Sequence, residues 1–291
     1  MMRKTLPLVC FVLVLAASAF AQTQNAPTLR VVTEDPTLPS DLFYGDIKVK
    51  PLRLRPGTNT RITIDDRDFF VQQHYIDFLS RFPEAGGFNS WLNVFTRCNS
   101  GDAACIQDLR VTVSGSFFQS QEFQLKGYFV YRFYKASLNR LPLYSEIVGD
   151  MRSVTGTTSE ETLAKRDAFV TNWTTRPDFR AIYDGLSNAA YVDRLLSTAA
   201  ITLPNRDQLV ADLNSNAQTR AQVLRVVVES EQFFNKEYNP AFVAMQYFGY
   251  LRRDPEAVGY NAWLNYLNAH PTDFRTMVHG FVDSLEYRNR F

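Results

Sequence analysis

The feature that most constrains the fold is a pattern that occurs twice in the sequence at one constant offset, without a gap. The first occurrence includes Phe70, Tyr75, Arg81, Pro83, Gly87 and Trp91, and the second includes Phe242, Tyr247, Arg253, Pro255, Gly259 and Trp263. Chance does not produce so many matches in one register. A chain of this kind is expected to consist of repeated structural units.

Two weaker copies lie between these two. One contains Phe129, Val130, Tyr134, Leu138, Arg140 and Pro142, and the other contains Tyr191, Val192, Leu196, Ala200 and Pro204. The ends of the units also agree, with Ser120-Gln121-Glu122-Phe123, Ser230-Glu231-Gln232-Phe233, Ser284-Leu285-Glu286-Tyr287 and a looser Arg176-Pro177-Asp178-Phe179. We therefore predict four units, over residues 66–125, 126–187, 188–238 and 239–291, of which the middle two are degenerate.

The apolar spacing within a unit predicts helices. Val71, Tyr75, Phe78 and Leu79 fall at i, i+4, i+7 and i+8, which is one face of an α-helix. Arg-x-Pro ends this first helix. A second helix is expected to bury Phe88, Trp91, Leu92 and Phe95, with Gly87 and Gly259 allowing another backbone to approach closely. The predicted fold is all-α, an array of short three-helix units stacked on a continuous core.

The N-terminal residues predict export. Arg3 and Lys4 precede an apolar run from Leu6 to Phe20, and Ala19-Phe20-Ala21 forms a small-x-small cleavage site, so residues 1–21 are predicted to be a signal peptide. A lipoprotein with Cys10 as the lipidated residue is the weaker alternative. Residues 22–65 contain five prolines and are predicted to form an extended leader.

Charge and hydrophobicity limit the partners of the mature chain. Without Arg3 and Lys4, the 31 basic residues become 29, against 30 acidic ones, so the net charge is −1. This balance argues against nucleic acid as a partner. No second long apolar run follows the signal, so the mature chain is not expected to span a membrane.

Cys98 and Cys105 are the two cysteines that remain after cleavage at Ala21. In an oxidising compartment we expect them to form a disulfide, with free thiols and a metal site as alternatives. The chain has three histidines, His74, His270 and His279, and none lies near the cysteine pair in sequence. We expect no metal or other cofactor.

The repeated Phe-Val-x3-Tyr-x3-Leu-x-Arg-x-Pro-x3-Gly-x3-Trp, followed by Ser-x-Glu-[Phe/Tyr], resembles the bacterial domain-of-unknown-function 4214 family, which is in turn similar to the linker domain of phycobilisome rods. The resemblance covers residues 66–291 when all four copies are counted, and is specific for the first and last. It implies a small helical module of exported or surface-associated proteins, without catalytic residues to transfer and without bilin attachment.

Four repeated positions are candidates for binding or for structure. Trp91 and Trp263 could form an aromatic platform, but their place on an apolar stripe favours core packing. Arg81 and Arg253 have acidic neighbours, namely Asp77 and Glu84 for the first and Asp254 and Glu256 for the second. We expect local ion pairs or helix capping from these arginines, with recognition of a partner's carboxylate as the alternative.

For catalysis, the recurring Glu122 and Glu286 are the only candidates, and we interpret them as solvated or helix-pairing residues. The sequence lacks Gly-x-Ser-x-Gly, His-Glu-x-x-His and a glycine-rich phosphate loop. The leading hypothesis is a non-enzymatic interaction or assembly module of the periplasm, cell surface or extracellular space that binds protein or glycan. The alternative is an extracytoplasmic hydrolase or glycan-active enzyme.

Overall fold

The computed structural model describes residues 29–32, 41–44, 47–49, 54–55 and 57–291. The predicted signal peptide, with Cys10, lies outside the described residues. Within the predicted leader, strands β1 (Leu29–Val32), β2 (Asp41–Tyr44) and β3 (Ile47–Val49) form an antiparallel sheet in the order β1-β2-β3. Leu29 pairs with Tyr44, and Leu42 pairs with Val49. These residues of the predicted leader are thus paired with one another as short strands.

The rest of the described chain is helical, which confirms the all-α class. The helices are α1 (Arg67–Leu79), α2 (Ala85–Val94), α3 (Ala103–Gln119), α4 (Gln121–Leu125), α5 (Gly127–Leu138), α6 (Tyr144–Ser153), α7 (Ser159–Trp173), α8 (Pro177–Tyr183), α9 (Asn188–Ala199), α10 (Arg206–Asn214), α11 (Arg220–Glu229), α12 (Glu231–Gln246), α13 (Ala257–Ala269), α14 (Phe274–Val282) and α15 (Leu285–Arg288). A 3₁₀ turn, Phe95–Arg97, follows α2, and a π-helical segment, Tyr247–Leu251, continues α12.

Four helical segments end in the same way. The residue that follows each of them has a left-handed backbone with φ between 49° and 53°, which is a common way for a helix to terminate. These residues are Ser80 after α1, Asn139 after α5, Ala200 after α9 and Arg252 after the π-helical segment. A proline follows each of them within four residues and prevents the helix from resuming.

The Ser-x-Glu-[Phe/Tyr] motif at Ser120 and Ser284, and the related Ser-Glu-Gln-Phe at Ser230, each start a new helix. The hydroxyl oxygens of Ser120, Ser230 and Ser284 accept a hydrogen bond from the backbone N–H three residues later. That later residue, Phe123, Phe233 or Tyr287, is buried. The serine therefore caps the helix, and the aromatic residue anchors the helix in the core.

The helices do not divide simply at the predicted unit boundaries. Three of the predicted first residues lie at or next to a helix start: Asp66 is the N-cap of α1, Lys126 lies between α4 and α5, and Asn188 begins α9. The fourth, Asn239, lies inside α12. The motif at the end of a unit also forms a helix of its own, such as α4 or α15. The first segment, 66–125, thus contains three longer helices and a short fourth one, where three helices were predicted.

The first segment (66–125) and the last segment (239–291) pack directly against each other. Helix α1 lies against Tyr247–Leu251, and α3 lies against α14. The ring centroids of Phe118 and Phe242 are 4.2 Å apart, and those of Phe78 and Tyr250 are 5.1 Å apart. In an open stack, each unit would contact only its neighbours in sequence. The first and last segments are not neighbours in sequence, so these aromatic side chains join the two ends of the helical region into one core.

Candidate functional site

Arg81 is the centre of a cluster of side chains in the first segment. Its Nε and Nη2 donate to the two carboxylate oxygens of Glu122, each at 2.6 Å, and its Nη1 donates to Glu84 at 2.5 Å. The guanidinium carbon lies 4.9 Å from the ring centroid of Tyr75. We call Tyr75, Arg81, Glu84 and Glu122 the first arginine cluster. It ties the end of α1 to the start of α2 and to α4.

The last segment contains the same arrangement. Arg253 Nε and Nη2 donate to the carboxylate of Glu286 at 2.6 and 3.1 Å, and Nη1 donates to Glu256. The guanidinium carbon is 5.1 Å from the centroid of the Tyr247 ring, and the Tyr247 hydroxyl donates to Glu256 Oε1 at 3.1 Å. We call Tyr247, Arg253, Glu256 and Glu286 the second arginine cluster.

A glycine lies in close contact with each cluster. A Cβ atom at Gly87 would lie 2.2 Å from Glu84 Oε1 and 2.3 Å from the Tyr75 hydroxyl. The distances at Gly259 to Glu256 and Tyr247 are the same. The predicted close contact is therefore with two side chains and not, as expected, with another backbone.

The acidic partners of the two arginines differ in part from the prediction. Glu84 and Glu256 pair with Arg81 and Arg253 as expected. Asp77 contacts Arg252 and Arg290 instead of Arg81. The carboxylate of Asp254 accepts a hydrogen bond from the backbone N–H of Tyr144, at 2.5 Å.

The equivalent positions in the middle of the chain show a graded loss of this ion pair. Arg140 donates to both carboxylate oxygens of Glu146, at 2.7 and 2.8 Å, and lies 3.6 Å from Asp178. At the third occurrence, the two positions are Thr202 and Gln232, both of which are exposed. The positive and the negative charge are thus absent together.

The carboxylates in the first arginine cluster are held in the ionised form. Burial opposes ionisation of Glu122, but hydrogen bonds from Arg81 and Lys126 leave its pKa below the usual value. Burial also opposes ionisation of Glu84, but the hydrogen bond from Arg81, a backbone hydrogen bond and the Arg81 charge together lower its pKa. In the second cluster, burial and the neighbouring Glu256 raise the pKa of Tyr247 to about 12. Ionised carboxylates that are bound to guanidinium groups are suited to holding helices together.

The second cluster lies in a segment that resembles a known family. Residues 226–291 match the family Domain of unknown function (DUF4214). The match confirms the predicted resemblance for this part of the chain, and the DUF4214 segment begins inside α11 and contains α12 to α15. No curated protein and no solved structure matches the chain.

The DUF4214 segment exposes two large aliphatic side chains beside the second arginine cluster. Val258 is 83% exposed and follows Glu256 by two residues, and Leu285 is 77% exposed and directly precedes Glu286. Gly86 and Gln121 occupy the equivalent places beside the first cluster. The sequence pattern did not single out Val258 or Leu285, because neither is shared between the two segments. Their lack of repetition is the signal that could have identified them.

Trp91 and Trp263 lie at the edge of the core and are only partly buried. Trp91 stacks on Phe117, with ring centroids 5.2 Å apart, and Trp263 lies 6.1 Å from Phe281. None of the residues of α2 is buried, and Leu267 is the one buried residue of α13. Of the stripe predicted on the second helix, Phe88, Trp91 and Leu92 are therefore half-buried, whereas Phe95, in the 3₁₀ turn that follows, is fully buried.

Cys98 and Cys105 form a disulfide with their Cα atoms 5.8 Å apart, as predicted. His74 is buried, and burial lowers its pKa to about 4. Across residues 57–291 and the shorter described ranges before them, no three His, Cys, Asp or Glu residues are grouped so that they could hold a metal ion. In the same part of the chain, no helix combines the length and apolar character needed to cross a membrane.

Proposed function

We propose that the chain is exported and acts as a non-enzymatic interaction or assembly module at the cell envelope or outside the cell. The observation that carries this proposal is the pair of exposed aliphatic residues, Val258 and Leu285, beside the second arginine cluster. Exposed apolar side chains with charged groups around them are typical of protein interfaces. Because the two exposed residues are aliphatic and not aromatic, a protein partner is favoured over a glycan.

We also propose that the first and last segments are two copies of the DUF4214 module, and that the two middle segments are diverged copies. Three features support this proposal. The first is the constant sequence offset, the second is the pair of matching arginine clusters, and the third is the left-handed helix end at Ser80, Asn139, Ala200 and Arg252. In this account the arginine clusters are scaffold and the side chains that differ between copies determine binding.

The hydrolase alternative gains no support from the recurring acids. A general acid must carry a proton near neutral pH, whereas bonding to Arg81 and Lys126 lowers the pKa of Glu122. Glu286 is bound by two nitrogens of Arg253. Assays of the mature protein against peptidoglycan and other envelope glycans would test this alternative directly.

Photo-cross-linking in the native host tests the proposed function. A photoreactive phenylalanine analogue is placed at position 258 or 285 in the last segment, and at the equivalent position 86 or 121 in the first. We expect a protein adduct from 258 and 285 and little adduct from 86 and 121. Equal yields from all four positions would contradict the proposal, and an adduct removed by glycosidases but not by proteases would identify a glycan partner instead.

Fractionation of the same host cells tests export. The mature protein should be recovered from the envelope or culture medium with Gln22 as its first residue, as determined by mass spectrometry of the intact chain. Recovery of an uncleaved chain from the cytoplasm alone would contradict the export part of the proposal.

A further inference from the structure

Among the residues that the structure describes, Arg132 on α5 is a buried guanidinium without a counter-ion. The residue is 5% exposed, and its Nε is buried without a hydrogen-bond partner. Within the described residues its contacts are with two aromatic rings, those of Tyr128 at 4.5 Å and Phe234 at 4.8 Å. Buried charges in proteins are normally paired, because removing a charge from water is costly.

The two rings leave one side of this guanidinium without an aromatic neighbour. Tyr128 and Phe234 pack edge to face with their centroids 4.9 Å apart, which is about as far as each ring lies from the guanidinium carbon. Both rings are therefore on the same side of Arg132. Contact with the ring faces partly compensates the buried charge but does not occupy the N–H donors.

The carboxylate that could best serve as a counter-ion of Arg132 already accepts hydrogen bonds from other arginines. Glu229, which acts on the pKa of Arg132 from a distance, accepts hydrogen bonds from Arg166 and, at 2.8 Å, from Arg225 Nε. Arg225 also pairs with Asp167. The guanidinium groups near this position are those of Arg132, Arg166 and Arg225. They share the two carboxylates of Glu229 and Asp167, which leaves the charge of Arg132 without a partner.

Arg166 shows the same features in milder form. It is also buried, its guanidinium carbon lies 4.1 Å from the centroid of the Phe129 ring, and its Nε has no hydrogen-bond partner. Burial lowers the pKa of Arg132 to about 10, so the group is still cationic at neutral pH. Arg132 and Arg166 therefore combine positive charge with N–H groups that donate no hydrogen bond.

We infer that Arg132, supported by Arg166, binds a small oxyanion, either a free ion such as phosphate or a carboxylate group carried by a larger molecule. Guanidinium groups bind such oxyanions through two parallel N–H donors, and the low exposure of Arg132 restricts access to a small group. This site is on α5 and α7, and it is independent of the surface proposed above for a protein partner.

The test is an NMR titration of the arginine Nε–Hε signals of the mature protein with sodium phosphate, sulfate or acetate. Sodium chloride keeps the ionic strength constant, so that general screening is the same in each sample. We expect the Arg132 signal to shift saturably with at least one of these oxyanions. Saturation by phosphate or sulfate indicates a free-ion site, whereas saturation by acetate indicates a carboxylate site.

Three variants complete the test. Arg132→Met should weaken oxyanion binding about tenfold or more, because it removes the charged donors and keeps the apolar stem. Arg180→Gln, which alters an exposed arginine paired with Asp184, should bind as the wild type does. If the methionine variant fails to fold, Arg132→Lys assigns the signal and the wild-type titration decides. Shifts that do not saturate with any of the three oxyanions, or an unchanged affinity in a folded Arg132→Met protein, would overturn the inference.

Discussion

Asp77 in α1 accepts a hydrogen bond at 2.9 Å from Nη2 of Arg290, which lies 213 residues later in the sequence. Arg252, at the end of the π-helical segment, donates to the same carboxylate oxygen from Nε and Nη2, at 3.1 and 3.0 Å. The Asp77 side chain is almost completely buried. One carboxylate therefore joins the first helix to two separate parts of the last segment.

The first prediction concerns the stability that this contact provides. Asp77→Asn should lower the free energy of unfolding by about 3 kcal/mol, because it leaves two guanidinium groups next to a neutral amide. Urea unfolding followed by circular dichroism measures the change. The matched control is Asp184→Asn, which removes the charge from an exposed pair and should cost less than about 1 kcal/mol. Equal effects of the two variants would mean that Asp77 is not a structural link.

The second prediction is a dependence of this contribution on pH. Burial opposes ionisation of Asp77, yet Arg290 and Arg252 hold its pKa below the ordinary 3.8. A carboxyl with a lowered folded-state pKa adds stability that is complete above its unfolded pKa and is lost as the pH falls through the folded one. The stability gap between wild type and Asp77→Asn should therefore shrink below about pH 4. Urea unfolding at a series of acidic pH values measures it, and a gap that stays constant or widens would contradict the assignment.

The third prediction contrasts two adjacent glycines in α2. A Cβ at Gly86 meets no atom within 4 Å, whereas one at Gly87 meets Glu84 and the Tyr75 hydroxyl. Gly86→Ala should stabilise the protein by up to about 1 kcal/mol, and Gly87→Ala should destabilise it by about 1 kcal/mol or more. The cost of Gly87→Ala should be smaller in a Tyr75→Phe background, because the hydroxyl is absent. Thermal unfolding of Gly86→Ala, Gly87→Ala, Tyr75→Phe and the Gly87→Ala/Tyr75→Phe double variant measures these effects. A stabilising Gly87→Ala would show that the first arginine cluster leaves room for a methyl group at this position.

The fourth prediction compares the two arginine clusters by double-mutant cycles. The pair Arg81–Glu122 is less exposed than Arg253–Glu286, with side-chain exposures of 27% and 29% against 37% and 49%. Screening by water is weaker at the first pair, so its coupling energy should exceed about 1 kcal/mol, while the second should lie at or below that value. The cycles use alanine substitutions and chemical unfolding. A stronger coupling at Arg253–Glu286 would reverse the expected order.

Local features of the fold could be predicted from the sequence because they depend on neighbouring residues. The helix end before Pro83 and Pro255 follows from backbone chemistry. Ser120 and Ser284 were predicted only as ends of units, although each caps a further helix. Spacing also located the arginines, although the pairing of Arg81 with Glu122 spans 41 positions and was not predicted.

Long-range features could not be predicted in the same way. The contact between Asp77 and Arg290 depends on how the first and last segments are placed, and periodicity within a helix carries no information on that placement. The same limit explains the stripe on α2, whose spacing shows that one face is apolar but not how much of that face is covered. Arg132 was not noticed because it is not part of the repeated pattern.

We expect the first and last segments to unfold as one cooperative core, and tryptophan fluorescence can follow each of them separately. The chain has three tryptophans, and of these Trp91 lies in the first segment and Trp263 in the last. Two variants, each with Trp173→Phe, retain either Trp91 or Trp263 as the single fluorophore for urea unfolding. We expect coincident transitions that Asp77→Asn shifts equally. Two separate midpoints, or a shift of the Trp91 transition alone, would contradict it.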